Sequence, residues 1–194
     1  MRRSLFIRAS VQVTLLIAIA LCCGCDGVKR RHWSEEVTLD DGHRIVIERF
    51  VKFQTSNALG GGAYGSTDLE STLRFRGELS ELPAWDVPLV PLVLFKEHAT
   101  NEWVVVATTG NCDTWYERGE PVPPYWEYRL RGGTWLLSVL SKDSVGRKSN
   151  LFFDYEPSDP RTVVTEKIKH RAIATNEFSP GYLSIRAEEK TNCM

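Results

Sequence analysis

Apolar and polar residues alternate along most of this chain at the spacing of β-strands. Thr72 to Arg76 alternates cleanly, with Leu73 and Phe75 on one side and Thr72, Arg74 and Arg76 on the other, the two-residue period of a half-buried strand. Val37 to Leu39 and Ile45 to Phe53 flank Asp40-Asp41-Gly42, a short acidic turn with a glycine that predicts a hairpin. Within Leu89 to Thr109, Leu92-Val93-Leu94-Phe95 and Trp103-Val104-Val105-Val106-Ala107 are unbroken apolar runs rich in β-branched residues. Such runs predict two strands buried on both faces, at the centre of the domain. A second hairpin is predicted where Trp126, Tyr128 and Leu130 alternate with Glu127 and Arg129, and where Trp135, Leu137 and Val139 resume the pattern after Arg131-Gly132-Gly133. Trp126 and Trp135 then read as core anchors.

Leu151 to Tyr155 reads as a further strand that stops at Glu156-Pro157-Ser158-Asp159-Pro160. Thr162 to Thr175 changes period: Val164, Ile168 and Ala172 recur at fours among Glu166, Lys167, Lys169 and Arg171, which predicts a helix. Tyr182 to Arg186 reads as a short last strand with Leu183 and Ile185 inward. The sum predicts a mainly β domain, an antiparallel sandwich or barrel-like sheet with one helix near 162–175.

A different pattern opens the chain. Arg2, Arg3 and Arg8 precede an apolar run from Val11 to Leu21 interrupted only by Gln12 and Thr14, the layout of a secretory signal. The run is roughly half the ~20 residues needed to span a bilayer. It ends in Leu21-Cys22-Cys23-Gly24-Cys25-Asp26. That boundary resembles the lipobox of bacterial lipoproteins, in which a small residue precedes a cysteine that is diacylated and becomes the new N-terminus. The resemblance covers residues 1–26 alone. It implies cleavage after Gly24, lipidation of Cys25, and an exported domain lipid-anchored in the bacterial envelope and facing the periplasm. The family prefers Leu where Cys22 stands, so Cys22 or Cys23 as the modified residue, or plain signal cleavage, stay as alternatives. Asp26 after the cysteine resembles the inner-membrane signal of enteric bacteria, and both membranes stay open.

The expected organisation is therefore a signal peptide over 1–24, a membrane-proximal tether over 25–34, and one β-rich domain over 35–194. Asp26 to Ser34 is short and polar, reaching at most ~30 Å, and its Lys29, Arg30 and Arg31 would favour anionic headgroups by roughly 1 kcal/mol each. Removing residues 1–24 takes away three of the 24 Lys and Arg and none of the 25 Asp and Glu, leaving −4 from side chains. That balance shows none of the basic excess of a nucleic-acid partner.

Past the lipobox only Cys112 and Cys193 remain. An even pair in an exported domain predicts a disulfide. Candidate chemistry is sparse elsewhere. Asp40 and Asp41 lack the further oxygen ligands of a calcium loop and read as turn residues. Asn57 to Thr67, with Gly60-Gly61-Gly62 and Gly65, lacks the Gly-Lys-Ser/Thr ending of a phosphate loop and reads as a surface loop. His32, His43, His98 and His170 fall in no metal-ligand spacing, no Gly-x-Ser-x-Gly elbow occurs, and no cofactor is expected.

The suggestive stretch is Asn111 to Tyr128. It crowds Trp115, Tyr116, Glu117, Glu120 and Tyr125 with Pro121, Pro123 and Pro124. Aromatic faces beside carboxylates suit sugar binding and glycoside hydrolysis; aromatics on a proline-stiffened loop suit a protein-binding surface; packing within the domain accounts for the same residues. Two functions follow. The first is a lipid-anchored, non-catalytic β-domain that binds another envelope protein as a component, assembly factor or inhibitor. The alternative is a peptidoglycan- or glycan-directed module or hydrolase using loop 111–128.

Overall fold

Asp40-Asp41-Gly42 closes a hairpin. Asp41 Oδ1 accepts from the His43 amide at 2.9 Å, Gly42 takes φ +79°, and the flanking strands β1 (Gly27–Thr38) and β2 (Arg44–Ser56) pair antiparallel, with Val37 opposite Ile45. The computed structural model describes residues 27–56, 65–152, 162–175, 184–190 and 193. The expected signal peptide, Cys25, most of the glycine-rich loop, the breaker and Tyr182 lie outside them.

Two sheets form the body of the molecule. The first has the order β4-β3-β2-β1-β9, with β3 (Gly65–Phe75) antiparallel to β2, β4 being Trp85–Asp86, and β9 (Val163–Val164) parallel to β1. The second is the antiparallel order β5-β6-β7-β8, made of Val90–Lys96, Trp103–Thr108, Trp126–Arg131 and Thr134–Ser138. The architecture is mainly β and sandwich-like, with open sheet edges instead of a closed barrel. Val37, Ile45, Ile47, Leu73, Phe75 and Trp85 of the first sheet pack on Leu94, Trp103, Val105, Ala107, Trp126 and Tyr128 of the second.

Both faces of β5 and β6 are covered, which is why their sequences do not alternate. The face away from the first sheet carries Val93, Phe95, Val104 and Val106, packed with Tyr125, Leu140 and Ile185. Arg147 holds this outer coat down, its guanidinium 3.6 Å from the Phe95 ring centre and its Nη1 2.6 Å from Asp40 Oδ2.

Three expectations need correction. Residues 27–34, expected to be tether, are part of β1, where the ladder with β2 satisfies their backbone groups; Trp33, hidden in that polar stretch, is fully buried. Val163 and Val164, expected to open a helix, form β9; their β-branched side chains suit a strand, and the helix, here α2, runs from Glu166 to Ala174. Leu137 and Val139, expected inward with Trp135, are exposed, because β8 is the last strand of its sheet and the two-residue β4 is the last strand on that side of the other. Of the expected strand Leu151 to Tyr155 only Leu151 and Phe152 lie among the described residues, and both are buried.

The stretch 110–124 folds a short helix of its own, α1 (Cys112–Glu117), capped by Asn111, whose Oδ1 accepts from the Thr114 amide at 2.8 Å. Cys112 and Cys193 are bonded, with Cα atoms 5.4 Å apart and a separation of 81 positions in sequence. In the chain-entropy account closing such a loop stabilises by up to about 4.5 kcal/mol.

Candidate functional site

Loop 111–128 turns its largest aromatics inward. Trp115 is 2% exposed, packs in the inter-sheet core and donates from Nε1 to the Pro121 carbonyl at 3.1 Å. Tyr125 belongs to the outer coat; its hydroxyl donates to Glu189, and burial first, then that carboxylate, pushes its pKa well up. Neither ring offers a face to a ligand. Tyr116, Glu117 and Glu120 are exposed, but the Tyr116 hydroxyl is spent on the Cys193 carbonyl. Glu120 stands at φ +55° beside Gly119, as the corner by which the chain leaves α1. The structure thus brings Trp115 and Tyr116 together edge to face, 5.0 Å between ring centres, as a brace between helix and tail.

The most charged interior lies elsewhere, and its residues are spread along the chain in a way no short motif would reveal. Arg129 receives three carboxylates on the outer side of the second sheet. Its Nε donates to Glu127 at 2.6 Å, its Nη1 and Nη2 reach Glu97 at 2.7 and 2.9 Å, and Nη1 also reaches Glu102 at 3.1 Å. Glu127 is fully buried, and its second oxygen accepts from the Ser141 amide and hydroxyl, both at 2.8 Å, and from Ser144 Oγ at 2.6 Å. Hydrogen bonds from Arg129, then Thr100, hold Glu97 down to about 2. Every member is saturated, so the network is built to fix strands and coat together. A second buried pair, Glu35 and Arg49 at 3.1 Å, ties β1 and β2 to the Phe152 backbone.

An open cleft of about 470 Å³ lies between the β1–β2, β5–β6 and post-β3 turns. Leu39, Ile45 and Trp103 line it with Arg44, Lys96 and His98. Of its acids Asp40, Asp41, Glu78 and Glu97, Asp40 is paired with Arg147 and Glu97 with Arg129. Among the described residues no group of three or more His, Cys, Asp or Glu could hold a metal ion, and no helix is long and apolar enough to cross a membrane.

The four sheet edges differ more sharply than any pocket. β4 and β9 are two residues each. The edge of β5 is occupied: the Leu92 carbonyl accepts from the Asn150 and Leu151 amides and the Ser149 hydroxyl, and the Asn150 side chain bonds both the amide and the carbonyl of Leu94. Among the described residues the edge of β8 is open, since only β7 bonds its backbone. Thr134-Trp135-Leu136-Leu137-Ser138 carries no charge and no proline, and Leu136, Leu137 and Val139 are 46%, 60% and 88% exposed. The alternation that made these residues look like core is the signal that could have found them: a strand pattern with no later partner strand among the described residues to cover it.

Comparison with protein families, curated proteins and solved structures finds no match.

Proposed function

We infer that this is a membrane-anchored envelope lipoprotein, held through Cys25, whose non-catalytic β-domain binds another envelope protein by strand addition at β8. The observation that carries the reading is the contrast between one open, uncharged, apolar edge and three edges that are short or occupied. Exposed long edges recruit strands, and proteins that do not use them guard them with charge, proline or a covering segment. The occupant is an extended segment of a partner protein with apolar side chains on both sides. Its backbone would complete the β8 ladder while Leu136 and Leu137, on opposite faces, take alternate side chains. A second copy meeting edge to edge would bury only the strip of a five-residue strand, short of the ~800 Å² per partner of a standard stable interface.

A glycan-directed reading would rest on Tyr116, Glu117 and Glu120, with Trp115 and Tyr125 supplying structure. The test places a photo-crosslinking residue at Leu136 or Leu137 of the full chain in cells, with Arg44 as the control position. Crosslinks from the two positions should map to neighbouring residues of one extended partner segment, and Leu137→Lys should abolish capture through Leu136 while leaving the melting temperature unchanged. Crosslinks to another copy of this chain, or to muropeptides, or adducts no more specific than those from Arg44, would each overturn the reading.

A further inference from the structure

The outer face of the first sheet, turned away from the second, sets basic and aromatic side chains in adjoining rows. The register puts Arg30 opposite Lys52, His32 opposite Phe50, and Glu48 opposite Arg74. The His32 ring stacks on Phe50, with centroids 4.3 Å apart and planes within 10°, and the Arg74 guanidinium lies 4.7 Å from the same ring centre. The acids around them are engaged: Glu70 with Lys52 at 2.7 Å, Asp86 with the Thr72 hydroxyl at 3.2 Å, and Glu48 with Arg76. Arg30 and Arg74 are both exposed, and among the described residues neither has a carboxylate partner. The run Lys29-Arg30-Arg31 does not act as a block, since successive strand residues face opposite ways; Arg31 turns to the other face, 4.6 Å from the Phe53 ring centre.

These cations sit beside the point where the chain enters the fold. Arg30 is five residues past Cys25, within at most about 18 Å of extended chain. We propose that this face, with Arg30, Lys52 and Arg74 at its centre, lies against anionic lipid headgroups and sets the orientation of the domain on its membrane. The proposal rests on the membrane-anchored part of the function given above. Arg30 and Arg74, with no carboxylate partner among the described residues, sacrifice no ion pair on meeting phosphate, whereas Lys52 would give up its pair with Glu70, and a guanidinium on a flat β face presents several donors to it. A nucleic acid fits less well, because the mature chain is net acidic and the basic residues form a short strip.

The test uses the full-length chain mixed with phosphatidylcholine vesicles, with or without roughly a third phosphatidylglycerol. Flotation reports anchoring, and phenylglyoxal modification mapped by mass spectrometry reports Arg30 and Arg74 against Arg44, which lines the cleft and lies outside the strip. Flotation with both vesicles is expected, with modification of Arg30 and Arg74 slowed roughly fivefold or more when phosphatidylglycerol is present, the protection disappearing in molar salt and Arg44 unchanged. Flotation with equal reactivity in both vesicles overturns the proposal and leaves anchoring intact. Flotation only with phosphatidylglycerol, with protection, overturns anchoring and leaves the basic face; flotation with neither overturns both. The double variant Arg30→Gln, Arg74→Gln should melt where the parent does and lose the lipid-dependent protection of Lys52 against acetylation; if Lys52 stays protected, the two arginines are not the contact.

Discussion

At the scale of single residues, the buried charge around Arg129 shows how an acidic chain keeps a β core wet-proof. Glu97, Glu102 and Glu127 converge on one guanidinium, and burial of Glu97 and Glu127 is tolerable only because each oxygen finds a donor. Glu97 makes the consequence measurable. Its pKa falls from an ordinary 4.5 to about 2 through hydrogen bonds from Arg129 first and Thr100 second. A depressed carboxylate contributes stability that is complete above the unfolded value and is lost as pH drops through the folded one, so this part of the stability should vanish between pH 4.5 and about 2. Glu97→Gln should cost about 1.5–3 kcal/mol at neutral pH and flatten that acid limb. Urea unfolding followed from pH 6 down to 2 checks it, and a variant as steep as the parent would move the linkage to other carboxylates.

At the scale of elements, Asn150 does for β5 what nothing does for β8. Its side chain accepts from the Leu94 amide at 2.9 Å and donates to the Leu94 and Thr38 carbonyls at 2.7 and 3.1 Å, so one amide closes a sheet edge and pins it to β1. Asn150→Ala should cost about 1–3 kcal/mol and raise the tendency to aggregate as the edge opens, measured by urea midpoint and by light scattering on storage. The strands themselves were legible in sequence. Val104 to Ala107 could only be a strand with two covered faces, and Asp41-Gly42 could only be a turn. What was not legible was coverage. Trp115 and Leu137 look alike in a local window, each a large apolar residue in a mixed stretch; one is buried because a disulfide and an opposing sheet close over it, the other exposed because, among the described residues, no strand pairs with the outer edge of β8. Likewise Gly27 to Ser34 is polar enough to pass for a tether, and only its ladder with β2 makes it a strand. The candidate loop was legible as chemistry and misleading as a surface, since aromatic crowding marks a binding face and a packed corner equally.

At the scale of the whole molecule the two sheets carry an outer coat over β5 and β6, which among the described residues forms no strand or helix beyond the single bridge of Lys148 with Ser184. Its grip is Ile185, 1% exposed against the outer face of β5 and β6, with the Ile185 amide donating to Arg147 at 2.9 Å, the Gly146 amide donating to the Ile185 carbonyl at 2.8 Å, and the Cys112–Cys193 bond a few residues further on. If this coat were an appendage, β5 and β6 would not need their second apolar face. Their unbroken runs of Val, Leu and Phe show that it is part of the core, since exposing that face would lose roughly 25 cal/mol for each Å² uncovered. Ile185→Ala should therefore cost as much as a truncation between the sheets, about 2–5 kcal/mol, in one cooperative transition. The check is urea unfolding read by tryptophan fluorescence and by far-ultraviolet circular dichroism together. Coincident curves at a lowered midpoint fit a coat that folds with the sheets; an early transition seen by one probe alone would mean that the coat comes away first, with the disulfide serving only to keep it near.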